Sequence, residues 1–173
     1  GTTELAGAMR LDRPLSDKAG KVVQHSVDHI YERFISLVAD ARFEAQSSGK
    51  NVTLQVPERL VMSGNEARVG SAIENVVRNA LDHTPAGGQI EVSLAEEDGA
   101  WLLRVADQGP GVAEQWLERI FQPFFRGGSE RAGFGLGLAL AQRQVSATGG
   151  SIRASNRAGG GLFMDIRLPR TAV

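Results

Sequence analysis

Two asparagines four residues apart, Asn75 and Asn79, lie in the segment ENVVRNALDHT. Residues at this spacing share one face of an α-helix, so both carboxamide groups can point at one spot. An amide oxygen is a hard ligand suited to Mg²⁺, and an amide N–H can donate a hydrogen bond to a phosphate. The alternative for this motif taken alone is the polar face of a solvated helix.

An acidic residue, Asp107, follows an apolar stretch and precedes Gly109 and Gly111 in ADQGPGV. A carboxylate at the end of a strand can accept a hydrogen bond from an exocyclic amine, such as that of adenine. Glycines beside it would let a flat ring approach the backbone. The alternative is an ordinary turn after a strand.

Three glycines, Gly133, Gly135 and Gly137, open a helical pattern in GFGLGLALAQ. Glycines before a helix can direct several backbone N–H groups at one anion, and the helix N-terminus adds partial positive charge. The segment is not a dinucleotide-binding fingerprint, because Leu138 stands where the third glycine should be. It is not a Walker A loop either, because no GK[ST] follows. A bound phosphate would explain the glycines.

A loop rich in phenylalanine, IFQPFFRGG, comes just before these glycines and contains Phe121, Phe124 and Phe125. Aromatic residues bordered by glycines are unusual in a solvent-exposed loop. They could anchor a flexible lid over residues 121–134, or they could be ordinary core residues.

The hydrophobic pattern predicts the elements that position these motifs. Helical periodicity covers 22–47, 65–83 and 135–148, and a shorter helix is predicted over 116–120. Strands are predicted over 51–57, on either side of a turn at Asp98-Gly99 within 89–109, and in a final pair that turns at 158–161. Adjacent strands with short turns predict an α+β fold, with helices on one face of a mostly antiparallel sheet.

Composition limits the range of functions. The chain has 173 residues, of which 42% are hydrophobic, which suggests one domain with a real core. Nineteen Lys and Arg against 20 Asp and Glu give no electrostatic footprint for nucleic acid. We expect no contact with a membrane and no signal peptide. The absence of cysteine removes disulfides and thiolate metal sites.

The order of the four motifs closely resembles the catalytic and ATP-binding domain of bacterial sensor histidine kinases, in the GHKL superfamily with the Bergerat ATP-binding fold. The resemblance covers roughly residues 15–170. It implies a two-layer sandwich in which three helices cover one face of a mostly antiparallel mixed sheet. Residues 1–14 resemble the end of the dimerisation and phosphoacceptor helix, which leaves 15–173 as the catalytic ATP-binding domain.

The resemblance also implies roles for single residues. Asn79 would be the Mg²⁺ ligand, with Asn75 supporting it or touching phosphate. Asp107 would bind the adenine amine, and Arg126 would lie near the terminal phosphates and act with the two asparagines in catalysis. The other positions that it assigns to the nucleotide site are Asp82, His83, Gly109, Gly111, Phe121, Gly133, Phe134, Gly135, Leu136 and Gly137.

Three of these positions depart from the family pattern. His83 stands where Tyr or Phe often packs beside adenine, and Phe134 where Thr or Ser is common. Asp82 replaces a frequent Lys or Arg, so its carboxylate would repel the triphosphate unless it turns outward.

The implied function is transfer of the γ-phosphoryl group of ATP to a histidine in a dimerisation domain of the same homodimeric kinase, and then to a response regulator. The implied location is the cytoplasmic portion of an inner-membrane sensor. The family's acceptor histidine is followed by an acidic residue, whereas His25 precedes Ser26 and His29 precedes Ile30. The acceptor is therefore expected outside this chain.

Two alternatives stay open at this stage. A GHKL-type ATPase would use a glutamate four residues before the Mg²⁺ ligand to activate water, but that position is Asn75. Glu74 is one residue further back, about 100° around the helix. A nucleotide-free pseudokinase or interaction module is the other alternative, which Asp82 and Phe134 keep open.

Overall fold

The computed structural model of the chain describes residues 18–57, 65–125 and 136–170, with the backbone alone over 18–29. The predicted N-terminal segment 1–14 lies outside the described residues. The same holds for four predicted site residues, Arg126, Gly133, Phe134 and Gly135.

The described elements follow the predicted order of helices and strands. They are α1 (Lys18–Ser47), β1 (Asn51–Gln55), α2 (Glu66–His83), β2 (Gln89–Glu97), β3 (Ala100–Ala106), α3 (Gly137–Ala147), β4 (Ser151–Asn156) and β5 (Leu162–Pro169). The first strand is shorter than predicted, and the helix predicted over 135–148 begins at Gly137.

The short helix predicted over 116–120 consists of two separate helical turns in the structure. Both are single-turn 3₁₀ helices, Glu114–Trp116 and Arg119–Phe121, so the bounds differ from the prediction. A stretch of this length forms too few α-helical hydrogen bonds to offset the cost of nucleation, and 3₁₀ turns are the usual form of such short pieces. Ile120 and Phe121 are buried and anchor the second turn in the core.

The five strands form one mixed sheet in the order β1-β2-β3-β5-β4. The β1–β2 pair is parallel, and the other three pairs are antiparallel. The predicted hairpin between β2 and β3 is confirmed, because Asp98 and Gly99 both have positive φ, 51° and 75°. The pairing of β3 with β5 sets Ala106 opposite Phe163, so the end of β3 meets the start of β5.

One face of the sheet is buried under the helices. Buried and partly buried side chains alternate regularly along β5, with the even-numbered residues buried. The buried side chains of β3 and β5 are Trp101, Leu103, Val105, Ala106, Leu162, Met164, Ile166 and Leu168. This arrangement confirms the predicted two-layer α+β fold. Among the described helices, none combines the length and apolar character needed to cross a membrane.

Helix α2 packs against both α1 and α3 and carries the asparagine pair. Its predicted apolar stripe is buried and comprises Val69, Ile73, Val76, Val77 and Leu81. The side chain of Asn65 accepts a hydrogen bond from the Arg68 N–H at 3.1 Å and caps the start of the helix. Near the other end, Lys50 Nζ donates to the Leu81 carbonyl at 2.5 Å. These contacts fix both ends of the helix.

Replacing Asn65 by alanine removes the capping oxygen at the start of α2. We expect Asn65→Ala to lower the free energy of unfolding by about 1 kcal/mol. Asn65→Ser keeps a capping oxygen and serves as the matched control, so it should stay close to the original chain. Urea unfolding followed by circular dichroism measures both. Equal losses in the two variants would contradict the capping role.

Candidate functional site

Asp107 lies directly after β3 and is only 3% exposed. Its Oδ1 accepts hydrogen bonds from the backbone N–H groups of Gly109 at 2.9 Å and Leu162 at 3.1 Å. Its own N–H donates to the Leu162 carbonyl at 3.0 Å, and its carbonyl accepts from Arg157 Nη1 at 2.9 Å. Within the described residues, Oδ2 accepts no hydrogen bond. One carboxylate oxygen is thus left for a ligand.

Burial raises the pKa of the Asp107 carboxyl above its usual range. The hydrogen bonds from Gly109 and Leu162 and the positive charges of His83 and Arg157 act in the opposite direction, but the loss of hydration outweighs them. A ligand that donates a hydrogen bond to Oδ2 would stabilise the carboxylate and lower this pKa again. The site is therefore suited to a hydrogen-bond donor.

Asn79 is 4% exposed, and in the described part of the chain its Oδ1 has no hydrogen-bond partner. A buried acceptor without a partner costs about 1–3 kcal/mol, so its presence points to a partner that the described residues do not supply. Asn75, one turn earlier, is half-buried and lies against the start of α3. A Cβ built on Gly137 would stand 3.5 Å from Asn75 Oδ1.

His83 closes α2 and joins it to the loop after β3. Its Nδ1 lies 2.8 Å from the Asn79 carbonyl oxygen, so Nδ1 carries the proton in this contact. The loop packs directly on the helix end, because a Cβ at Gly109 would stand 2.6 Å from the His83 carbonyl oxygen. Only glycine allows this approach of two backbones. The hydrogen bond from His83 to Asn79 and the packing of the Asp107–Gly109 loop on His83 thereby place the three residues Asn79, His83 and Asp107 next to one another.

A second contact ties the same loop to the far edge of the sheet. Asn156 Oδ1 accepts from the Val112 N–H at 2.9 Å, and its Nδ2 donates to the Val112 carbonyl at 2.6 Å. Gly111, just before Val112, has a φ of 74°. Sequence reasoning missed Asn156, Arg157 and Leu162, which hold this loop from positions 44 to 55 residues away. Their sequence carries no local motif that signals this role.

The other predicted site residues occupy different environments. Asp82 is exposed to solvent near the end of α2. Leu136 is 57% exposed immediately before α3. The predicted phenylalanine cluster does not act as a unit. Phe121 is buried and Phe124 is 75% exposed, whereas Phe125 packs edge-on against Trp116 with ring centroids 5.8 Å apart.

An open groove of about 790 Å³ lies elsewhere, between the 3₁₀ turns, α3 and β4. It is lined by Glu118, Arg119, Gln142 and Arg153 among others, and among the described residues of the predicted site only Phe121 lines it. Neither Asp107 nor Asn79 is among the residues that line it. We therefore place the candidate site at the unpaired oxygens of Asp107 and Asn79 and not in this groove.

Comparison with known families matches residues 64–172, more than half of the chain, to the family described as histidine kinase-, DNA gyrase B-, and HSP90-like ATPase. The sensor protein PfeS of Pseudomonas aeruginosa is 46% identical over 105 residues, which are 60% of this chain and 23% of that protein. The sensor histidine kinase CpxA of Escherichia coli is 37% identical over 135 residues, 75% of this chain and 29% of CpxA. The chain spans less than a third of the length of these relatives.

Among solved structures, a mycobacterial sensor histidine kinase, MprB, has the same fold, with a TM-score of 0.72 and 27% identity. The alignment covers 83% of this chain and 97% of the MprB chain. The likeness therefore extends over nearly all of that solved domain.

The close approach at Gly109 can be tested through stability. Gly109→Ala would push a methyl group into the His83 carbonyl, and we expect a loss of about 1–3 kcal/mol of unfolding free energy. The matched control is Gly137→Ala, whose Cβ would make only an ordinary 3.5 Å contact at the start of a helix. The control should be neutral or slightly stabilising. Urea denaturation measures both, and a neutral Gly109→Ala would contradict the packing.

Proposed function

Because the chain belongs to the histidine kinase-, DNA gyrase B-, and HSP90-like ATPase family, we propose that this site binds Mg-ATP and presents its γ-phosphoryl group to a histidine of another domain. The observation that carries the proposal is the pair of unfilled acceptors. Asp107 Oδ2 is left for a base, and the buried Oδ1 of Asn79 is left for a metal, within the described residues. The sensor kinases among its relatives support the class of reaction.

The fixed carboxylate of Asp107 suits adenine. The exocyclic amine of adenine donates a hydrogen bond, which Oδ2 can accept. Guanine presents a carbonyl acceptor at the matching edge, and two acceptors facing each other in a buried site cost about 1–3 kcal/mol. The packing of Gly109 on the end of α2 fixes the loop that carries Asp107, so the carboxylate is held in one place for the base.

The residues present also fit a magnesium ion. An amide carbonyl oxygen is a hard ligand, and the Oδ1 of Asn79 is buried, with no hydrogen-bond partner among the described residues. Asn75 can support the same ion or donate from its amide to a phosphate. When bound, Mg²⁺ neutralises phosphate charge. Because Mg²⁺ keeps several waters and phosphate oxygens in its shell, one protein oxygen is sufficient to anchor it.

The start of α3 is the proposed phosphate end of the site. This helix has 11 residues and begins at Gly137 beside Asn75, so its N-terminal N–H groups and partial positive charge lie next to the asparagine pair. Arg126 stays a prediction of a further positive charge near the terminal phosphates. The chain then needs only to hold the γ-phosphoryl group in line with an incoming imidazole.

Transfer to histidine is favoured over attack by water. Water attack would need a general base near the phosphate. Glu74 is exposed and lines a groove between α1 and α2 with Glu44 and Arg78, on a different side of the helix from the buried Asn79. His83 is buried at the end of α2 and bonded to its backbone. His83 is therefore not the acceptor, and because neither His25 nor His29 is followed by an acidic residue, the acceptor imidazole would come from outside this chain.

The proposal extends to the whole protein. Residues 1–14 would end the dimerisation and phosphoacceptor domain, and 15–173 would form the catalytic domain. The acceptor histidine would belong to the same kinase in a homodimer, and a response regulator would receive the phosphoryl group next. Catalysis would take place on the cytoplasmic side of a bacterial inner membrane.

Asp107→Asn tests the base contact. Asparagine cannot both accept from two backbone N–H groups and present an acceptor to the base, because one of its two heteroatoms is a donor. We expect ATP affinity to fall about 10- to 100-fold, with a smaller change for GTP. Isothermal titration calorimetry with both nucleotides measures this. ATP binding as tight as in the original chain would refute the assignment.

The raised pKa of Asp107 predicts a pH dependence. Above this pKa the carboxylate accepts from the amine, whereas below it a proton on Oδ2 opposes the amine N–H. ATP affinity should therefore be present above the raised pKa and be lost on acidification through it, starting at a higher pH than for an ordinary aspartate. Calorimetry across pH should find this step in the original chain and not in Asp107→Asn. The same dependence of ATP affinity on pH in both proteins would contradict the proposal that Asp107 must be ionised to bind the base.

Asn79→Ala tests the metal site. The variant should fold at least as stably, because it removes a buried unpaired oxygen. ATP affinity in excess EDTA should change little, whereas the gain in affinity on adding Mg²⁺ should disappear. Asn79→Asp, which keeps an oxygen ligand, is the control and should retain the Mg²⁺ effect. A full Mg²⁺ effect in the alanine variant would exclude Asn79 as the ligand.

A further inference from the structure

We propose that Arg157 is a positioning residue for base recognition, which holds the backbone of Asp107 so that its free carboxylate oxygen points at the adenine amine. The inference rests on the proposed function. Arg157 lies in the turn between β4 and β5, outside every motif that the sequence singled out.

The Arg157 guanidinium bridges two strands. Its Nη1 donates to the Asp107 carbonyl at 2.9 Å, and its Nη2 lies 3.2 Å from Glu91 Oε2 on β2. The same group lies over the ring of Phe163, with Cζ 5.3 Å from the ring centroid. A planar group with donors in two fixed directions can satisfy these contacts together, whereas the single ammonium of a lysine cannot.

The contact with Glu91 orients the arginine more than it stabilises the fold. The Glu91 side chain is 51% exposed and that of Arg157 is 20% exposed. Ion pairs this open to solvent contribute little free energy. Their geometric effect is to keep the guanidinium in the plane from which Nη1 reaches the Asp107 carbonyl.

The turn that carries Arg157 is built for close contact with Asp107. Gly161 has a φ of 110°, and a Cβ there would stand 2.1 Å from the Asp107 carbonyl oxygen. The turn is closed by the Arg157 N–H donating to the Gly161 carbonyl at 2.9 Å. The next residue, Leu162, holds Oδ1. Among the described residues, Arg157 therefore supplies the one side-chain hydrogen bond to Asp107, and the others come from backbone groups. It is the contact that a substitution can remove.

The charge of Arg157 adds a second effect. The groups whose charges act on Asp107 are His83 at the end of α2 and Arg157 in the β4–β5 turn, and both lower the pKa of the carboxyl. Glu91 of β2 faces the arginine from the other side. Loss of the guanidinium charge would raise the pKa of Asp107 further, while a lysine would leave it nearly unchanged.

Two variants separate position from charge. Arg157→Gln keeps a hydrogen-bond donor but loses the positive charge. Arg157→Lys keeps the charge but loses the planar guanidinium with its donors in two directions. Arg104→Gln is the matched control, since Arg104 lies 4.4 Å from the same Phe163 ring and pairs with Asp165 at 2.7 Å. Within the described residues it makes no hydrogen bond to Asp107. Calorimetry with ATP and GTP across pH is the measurement, with urea unfolding to confirm folding.

Both Arg157 variants should narrow the ratio of ATP to GTP affinity, with a loss of ATP affinity of about tenfold, equivalent to about 1.4 kcal/mol. Only Arg157→Gln should also lose ATP binding at a higher pH than the original chain does. Arg104→Gln should keep the original ratio and pH profile. If Arg157→Lys folds and keeps the original ratio, or if Arg104→Gln matches Arg157→Gln, the inference is wrong.

The proposed function fails in a different way. If Asp107→Asn binds ATP as tightly as the original chain, Asp107 does not bind the base. The proposed function would then be wrong about the contact between Asp107 and adenine. If Asp107→Asn binds weakly while both Arg157 variants keep the original affinity, ratio and pH profile, the proposed function stands and only the role of Arg157 is overturned.

Discussion

The burial of Asp107 with one carboxylate oxygen unpaired is the constraint on which the site depends. A buried carboxylate is costly unless hydrogen bonds replace its hydration. The fold provides them at Oδ1 from Gly109 and Leu162, and it leaves Oδ2 without a partner among the described residues. Antiparallel pairing of β3 with β5, which sets Ala106 opposite Phe163, brings the Leu162 N–H to the end of β3, whereas Gly109 belongs to the loop that follows β3 itself. The centre of the sheet thereby determines which oxygen of Asp107 stays without a partner in the described residues.

Helix α2 contributes the second half of the site in the same way, by burying a polar side chain. Its apolar stripe packs into the core, and the same burial encloses Asn79, whose Oδ1 has no partner in the described part of the chain. The His83 ring donates a hydrogen bond to the backbone of the same helix, and a Cβ at Gly109 would stand 2.6 Å from the His83 carbonyl oxygen. Proteins retain such unsatisfied groups at functional sites although they cost stability. Stability and nucleotide affinity should therefore separate when these residues are changed.

Local patterns were sufficient to predict most elements, and they singled out Asn79 and Asp107, which are both buried, while the ligands assigned to these two side chains stay a prediction. The stripe of α2, the alternation along β5 and the turn at Asp98-Gly99 depend on residues close in sequence, so periodicity reveals them. Arg157 and Asn156 could not be found in this way, since they act on the 107–112 loop from 50 and 44 residues away. Their role depends on strand order, and no local spacing encodes it. The 3₁₀ turns also escaped prediction, because short apolar stretches do not specify helix type.

The most direct test is a crystal structure of the chain with Mg²⁺ and a non-hydrolysable ATP analogue. We expect Asp107 Oδ2 to lie within about 2.7–3.2 Å of the exocyclic amine of adenine. We also expect Asn79 Oδ1 to lie about 2.0–2.1 Å from the metal, with the phosphates at the start of α3. A nucleotide whose base contacts neither Asp107 nor Gly109, or a metal bound without Asn79, would contradict it.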